Sequence, residues 1–127
     1  MRAIPLIVAA ALAGGCASSH NVATGDANLL GGGYYVSRVH DGVFEISVKT
    51  NWAPWSNSMA AQSSWRDRAI ALCGSDKFRE LEIKEGSYDQ VQSVGLLRRI
   101  VTTRDGYAVC ENSKLSDEAA LALIRKR

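Results

Sequence analysis

The sequence predicts an α+β domain in which a small antiparallel or mixed sheet carries a helix packed on one face. Three observations lead to this prediction: segments that alternate as strands do, one segment whose apolar residues recur at helical spacing, and an Asp-Gly pair between two strand-like segments. The predicted order of elements is β-β-α-β-β-β-α. A helix that follows a hairpin favours packing as a second layer, because helix and sheet each bury one face.

The first two elements are predicted to form a hairpin. Residues 34–39 are rich in aromatic and β-branched types, and residues 43–49 alternate so that Phe44, Ile46 and Val48 share one face. His40-Asp41-Gly42 lies between them, and Asp-Gly in this position is a strong signal for a tight turn.

The helix is predicted over residues 58–73, after a loop that carries Pro54. Its apolar positions recur at spacings of four and three: Ala61, Trp65, Ala69, Leu72 and Cys73. Gly74 is placed to end the helix. This pattern predicts that Cys73 points into the core, where a strand can reach it.

The second half is predicted to hold three more strands and a short helix. Residues 78–84 alternate, which puts Leu81 and Ile83 on one face and Phe78 on the other, with a bulge near Arg79 as the alternative. Residues 91–103 are strand-like, and Asp105-Gly106 is a second hairpin signal into residues 107–111. Ser116 is the predicted N-cap of the final helix, which has an acidic first turn.

The chain begins with the layout of an export signal. Arg2 precedes an apolar run from Ala3 to Leu12, and small residues follow up to Cys16. The run is shorter than the roughly 20 residues that a membrane-spanning helix needs. One interpretation is an ordinary secretory signal in which Cys16 is incidental.

The other interpretation comes from Leu12-Ala13-Gly14-Gly15-Cys16, which resembles the lipobox of bacterial lipoproteins. The resemblance implies that the Cys16 thiol carries diacylglycerol, that residues 1–15 are removed as a signal peptide, and that the new amino terminus is acylated, for example with palmitate. Several acyl chains hold a protein stably on a membrane surface. Ala17, where an Asp would favour the inner membrane, implies the periplasmic face of the outer membrane.

The remaining chain is predicted to be a tether and one domain. Residues 16–33 comprise the lipidated cysteine and a segment rich in Ser, Ala, Asn and Gly, a composition typical of a flexible tether. Residues 34–127 are predicted to form a single periplasmic domain. The mature chain has 127 − 15 = 112 residues, and 14 basic against 13 acidic side chains once Arg2 is lost. This balance argues against nucleic-acid binding, which needs a basic face.

Cys73 and Cys110 are the two cysteines left after Cys16. In an oxidising compartment they are candidates for a structural disulfide. A redox or nucleophilic pair and two free buried thiols are the alternatives, although there is no Cys-x-x-Cys spacing to favour redox chemistry.

The one candidate binding feature is aromatic. Trp52 and Trp55, with Tyr34 and Tyr35 nearby in the sequence, are a candidate platform for a sugar ring, a peptide or a partner protein. The alternative is that one or both tryptophans cap the core beside the helix.

No catalytic, metal or cofactor motif is recognisable in the sequence. His20 and His40 lack partners at zinc-binding spacing, and no nucleophile or phosphate-binding motif is present. Four glutamates of the strands could be paired as acid and base, but strand alternation explains most of them as a solvated face: Glu45, Glu80, Glu82 and Glu85.

The predicted arrangement of elements, with several of its sequence segments, also resembles small proteobacterial outer-membrane lipoproteins of uncharacterised function. The similar segments are Gly32-Gly33-Tyr34-Tyr35, Ile46-Ser47-Val48, Ala71-Leu72-Cys73 and the strand that begins at Phe78. The resemblance implies a membrane-anchored envelope protein and transfers no catalytic residue. We therefore predict a non-enzymatic binding, accessory or assembly factor with an envelope protein as a candidate partner and no cofactor. The alternatives are a carbohydrate or peptidoglycan-fragment binder that uses Trp52 and Trp55, and a small periplasmic hydrolase.

Overall fold

The computed structural model describes residues 32–89 and 98–127. Four antiparallel strands form one sheet in the order β1-β2-β4-β3. The lipobox, the predicted tether up to residue 31 and the predicted strand residues 91–97 lie outside the described residues. The elements in chain order are β1 (Gly33–His40), β2 (Val43–Lys49), α1 (Ser58–Cys73), β3 (Phe78–Asp89), β4 (Ile100–Cys110), a 3-10 turn (Glu111–Ser113) and α2 (Asp117–Arg125).

The predicted hairpin is confirmed as β1 and β2. Gly33 pairs with Lys49 at its open end, and the strands meet at the turn Asp41-Gly42, where Gly42 has a φ of 77°. Glycine tolerates this left-handed conformation without the steric cost that a Cβ would bring. The hairpin begins one residue earlier than predicted, because Gly33 already belongs to β1.

The predicted α+β fold is also confirmed, and α1 has the predicted bounds. The Asn57 side chain caps its start by accepting a hydrogen bond from the amide of Ala60, and Gly74 ends it in the left-handed conformation. Trp65 is the centre of its buried face, at 0% exposure, and its Nε1 donates to the carbonyl of Ile46 at 3.0 Å. The indole therefore fills the space between helix and sheet while its one donor is satisfied.

The two faces of the sheet carry separate cores. Beneath α1 the buried residues are Ile46, Val48, Ala61, Trp65, Ala69 and Ala108. On the opposite face, Val43 and Val109 pack with Ala120 of α2. Ser116 caps α2 as predicted, by accepting from the amide of Ala119. The structure thus adds a helix to the second face, where the prediction placed none.

A bulge in β3 overturns the predicted face assignment of Leu81 and Ile83. The pairing with β4 shifts between Leu81 and Lys84, and Glu82 has a φ of 54°. The extra residue turns Ile83 to the α1 core, which also holds Phe78, whereas Leu81 packs in the α2 core. The bulge lies at Glu82 and not near Arg79.

The predicted second hairpin at Asp105-Gly106 is wrong. β4 runs unbroken from Ile100 to Cys110 through both residues, so the sheet has one strand fewer in this region than predicted. Gly106 faces the bulge of β3, where a Cβ would collide with Cδ1 of Ile83 and lie 3.3 Å from its Cα. Position 106 is therefore a glycine because the backbones of β3 and β4 approach closely there, and not because the chain turns.

We expect Gly106→Ala to lower the free energy of unfolding by about 1–3 kcal/mol, because overpacking forces side chains and backbone to shift. Urea denaturation of the purified protein measures this loss. Gly86→Ala in β3 is the matched control, since a Cβ there meets only Thr103 Oγ1 at 3.4 Å. Ile83→Val should restore part of the stability of Gly106→Ala by removing Cδ1, and the absence of any such rescue would contradict this explanation.

The predicted disulfide is confirmed. Cys73 at the end of α1 and Cys110 at the end of β4 are bonded, with their Cα atoms 5.3 Å apart. The bond joins the helix layer to a central strand of the sheet. We call this end of the domain the disulfide end.

Candidate functional site

The loop between β2 and α1 lies at the opposite end of the sheet from the disulfide. Its backbone is fixed on both sides of Trp55. Ala53 and Ile100 exchange two hydrogen bonds of 2.9 and 2.8 Å, and the Asn57 amide donates to Thr102 Oγ1 at 2.7 Å. Ser56 also hydrogen-bonds Ser87 of β3 at 3.3 Å. The loop is therefore held against two strands, although it has no regular secondary structure.

Among the described residues of this end, three apolar or aromatic side chains are exposed. Trp55 is 63% exposed, Met59 in the first turn of α1 is 83% exposed, and Tyr88 near the end of β3 is 43% exposed. Trp52 is half-buried in the same loop. We call the end of the domain that carries Trp52, Trp55, Met59 and Tyr88 the tryptophan end; Tyr88, which pairs with Val101, lies on the face of the sheet opposite α1. Exposed tryptophan and methionine on a fixed backbone are typical of binding surfaces.

Cations accompany the aromatic rings of the tryptophan end. The guanidinium of Arg99 lies 5.4 Å from the Trp52 ring centre, and Lys49 Nζ lies 5.8 Å from that of Tyr88. Arg98 extends to 3.6 Å from the carboxylate of Asp89. In the described residues of this end (32–33, 49–60, 86–89 and 98–103), three basic side chains face one acidic side chain. The surface is thus aromatic and basic.

The structure does not bring all four predicted aromatic residues together. Tyr34 and Tyr35 are neighbours in a strand and point to opposite faces of the sheet. Tyr34 packs against the α1 core with Arg68 over its ring at 3.8 Å, whereas Tyr35 is 38% exposed. The four-residue platform is therefore wrong as a single surface. Trp52 and Trp55 stay in the site, and the sequence reasoning missed Met59, Tyr88 and the three cations.

The strand glutamates do not form one solvated face, because the bulge and the two helices divide them. Glu80 and Glu85 lie on the α1 face and both pair with the buried Arg104, Glu80 at 3.1 Å. Arg104 also lies 5.6 Å from the Trp65 ring centre, so it belongs to the structural core. Glu45 and Glu82 lie on the other face.

A polar cleft of about 380 Å³ lies between α2 and the sheet, lined among others by Glu45, Glu82, Asp105, Tyr107 and Arg125. Burial, reinforced by the carboxylates of Glu45 and Glu82 and opposed by the cation Arg127, raises the pKa of Tyr107 above its usual 10. The phenol therefore stays protonated at neutral pH.

Two carboxylates of the cleft, those of Glu45 and Asp105, have structural partners. Glu45 accepts from Arg127 at 2.7 Å, and Arg127 also donates to Ser37 at 2.8 Å. Asp105 accepts from the hydroxyl of Ser47. The Arg127 contacts fasten the carboxyl-terminal end of the chain to β1 and β2, and the hydrogen bond of Ser47 to Asp105 joins β2 to β4. Both carboxylates therefore have a structural explanation.

Within residues 32–89 and 98–127, His, Cys, Asp and Glu side chains form no group of three or more suited to hold a metal ion. No helix in the same part of the chain has the length and apolar character to cross a membrane. Comparison with known proteins gave no match: neither a protein-family model, nor a curated protein, nor a solved structure is significantly similar to this chain.

Proposed function

We propose that this chain is a lipoprotein of the bacterial outer membrane, anchored through Cys16, whose periplasmic domain acts by binding and not by catalysis. The observation that carries the binding role is Trp55, which is 63% exposed on a loop held by hydrogen bonds on both sides. A side chain presented by a fixed backbone has less ordering entropy to lose when a partner binds.

Two further observations support the proposal. The lipobox-like segment before Cys16 fits a lipid anchor, and the Cys73–Cys110 bond fits an oxidising compartment such as the periplasm. In the polar cleft, Glu45 is engaged by Arg127 and Asp105 by Ser47. These pairings favour a structural role for the cleft over the hydrolase alternative.

The second candidate is a binder of carbohydrate or peptidoglycan fragments. The exposed face of Trp55 favours it, because an aromatic ring can stack on a sugar. Both candidate functions use the tryptophan end, and they differ in which component of the envelope binds there, such as a protein or a glycan.

A photoreactive amino acid at position 55 tests the proposal in living cells. We expect adducts of envelope components at this position and few at position 70, because Ile70 is a similarly apolar, exposed residue of α1 away from the tryptophan end. Mass spectrometry of the adducts separates a glycan from a protein or a lipid. Equal crosslinking at both positions, or none at position 55, would refute the binding surface.

With the photoreactive amino acid moved to position 59, where Met59 is also exposed, Trp55→Ala should abolish capture and leave stability within about 0.5 kcal/mol of the parent protein, as expected for an exposed side chain. Thermal unfolding of the purified variant measures the second effect. A stability loss of several kcal/mol would move Trp55 from the binding surface to the core.

A further inference from the structure

We propose that the occupant of the tryptophan end is the surface of the membrane that holds the chain's own lipid anchor. This inference rests on the proposed lipidation of Cys16 and names the partner of the proposed binding surface. Position in the fold, the chemistry of the side chains and the distribution of charge support it separately.

The first argument is position. β1 is antiparallel to β2, and Gly33 pairs with Lys49, so the chain from Cys16 enters the domain at the tryptophan end. Residues 17–32 can span at most about 3.6 Å each, even fully extended. The disulfide end lies a further 35 Å or so away, the length of the eleven residues of β4. These sixteen residues reach at most about 58 Å, so the tether attaches the tryptophan end nearer to the lipid than the disulfide end but does not by itself fix the orientation of the domain.

The second argument is side-chain chemistry. Tryptophan and tyrosine are the residues that favour the membrane–water interface, since their rings are apolar and carry one polar group. Trp52 and Tyr88 each have a cation near the ring, and long cationic side chains can keep their charge at the headgroups while their stems lie against apolar groups. Met59, 83% exposed, adds apolar surface without a polar group to satisfy.

The third argument is charge. The tryptophan end carries Lys49, Arg98 and Arg99 against Asp89 in its described residues. At the disulfide end, residues 38–42, 74–79 and 110–118 carry five acidic and four basic side chains. Anionic lipid attracts the basic end and repels excess acidic charge. A neutral sugar would gain little from three cations, so the charge favours an anionic occupant, and a phosphate-bearing lipid surface is one that also suits the aromatic rings.

The test uses the lipidated chain purified from cells and reconstituted into phosphatidylethanolamine–phosphatidylglycerol vesicles with brominated acyl chains, which quench nearby indoles. The chain has three tryptophans, and Trp65 is buried in the core. We expect quenching and a blue shift of the emission, and loss of most of the quenching in Trp55→Phe. The triple variant Lys49→Gln/Arg98→Gln/Arg99→Gln should also lose quenching, whereas the matched removal of three charges at the disulfide end, Arg38→Gln/Lys77→Gln/Lys114→Gln, should not.

The outcomes distinguish docking of the tryptophan end on the membrane from lipid anchoring at Cys16. If the chain floats with the vesicles but bromolipid leaves Trp55 unquenched, the docking is refuted and the anchor stands. A second measurement uses acrylamide, which quenches exposed indoles from the aqueous side. If added muropeptides or envelope protein shield Trp55 from acrylamide but the vesicles do not, membrane docking is refuted in favour of that occupant.

If mass spectrometry finds no lipid on Cys16, the proposed function fails, and co-sedimentation of the unlipidated chain with anionic vesicles decides the docking alone. Sedimentation that the triple variant loses would support an intrinsic lipid surface. No sedimentation would overturn it.

Discussion

Trp65→Ala is expected to lower the free energy of unfolding by about 3–5 kcal/mol, the range for truncating a large buried aromatic residue. Trp65 is fully buried, its ring centre lies 6.1 Å from that of Phe78, and it donates to the Ile46 carbonyl. Small domains have only about 5–15 kcal/mol of stability in total, so this variant should be largely unfolded at elevated temperature. Equilibrium urea denaturation measures the loss.

Trp55→Ala is the natural control for this prediction because it removes the same side chain from an exposed position. Trp65→Phe should cost about 1–3 kcal/mol, since the ring volume is partly kept but the Ile46 carbonyl loses its donor. If the two alanine variants were equally stable, the assignment of Trp65 to the core and Trp55 to the surface would be contradicted.

Removing the disulfide is the second large effect. Cys73→Ala/Cys110→Ala should lose about 4 kcal/mol, because a bond closing 37 positions restricts the unfolded chain. Chemical denaturation with and without a reducing agent measures it: the reductant should shift the midpoint of the parent protein and leave that of the double variant unchanged.

Each single variant provides a check on this prediction. Cys73→Ala and Cys110→Ala should each lose most of the stability that the double variant loses, because either one removes the same bond. A double variant as stable as the oxidised parent would contradict the role of the bond in holding α1 on the sheet.

The elements with local signals could be predicted from the sequence. Asp41-Gly42 specifies its turn through a positive φ at Gly42, and the spacing of Ala61, Trp65 and Ala69 together with Gly74 specifies α1 and its end. Each signal lies within the element it defines, so tertiary packing has little to change.

The errors lie where distant segments meet. The glycine of Asp105-Gly106 is needed because β3 bulges at Glu82, and the positive φ of Glu82 is imposed by packing and not by its residue type. No local pattern distinguishes a glycine required by a neighbouring strand from one required by a turn. The extra strand and the misplaced face of Ile83 both follow from this.

The candidate site could be predicted only in part for the same reason. Trp52 and Trp55 stood out as a pair in one loop, whereas Met59, Tyr88 and Arg99 come from other elements. The sheet order β1-β2-β4-β3 brings these segments to one end, and that order is not encoded in any single segment. Gly33 lies at the same end because β1 pairs antiparallel with β2, which places Gly33 opposite Lys49.

The lipid anchor at Cys16 is the claim on which the location and the membrane-facing surface both depend, and mass spectrometry of the intact protein from native membranes tests it most directly. We predict a chain that begins at Cys16 and carries the added mass of diacylglycerol and an amide-linked acyl group. A chain that retains Met1 to Gly15 and has an unmodified thiol at Cys16 would contradict it.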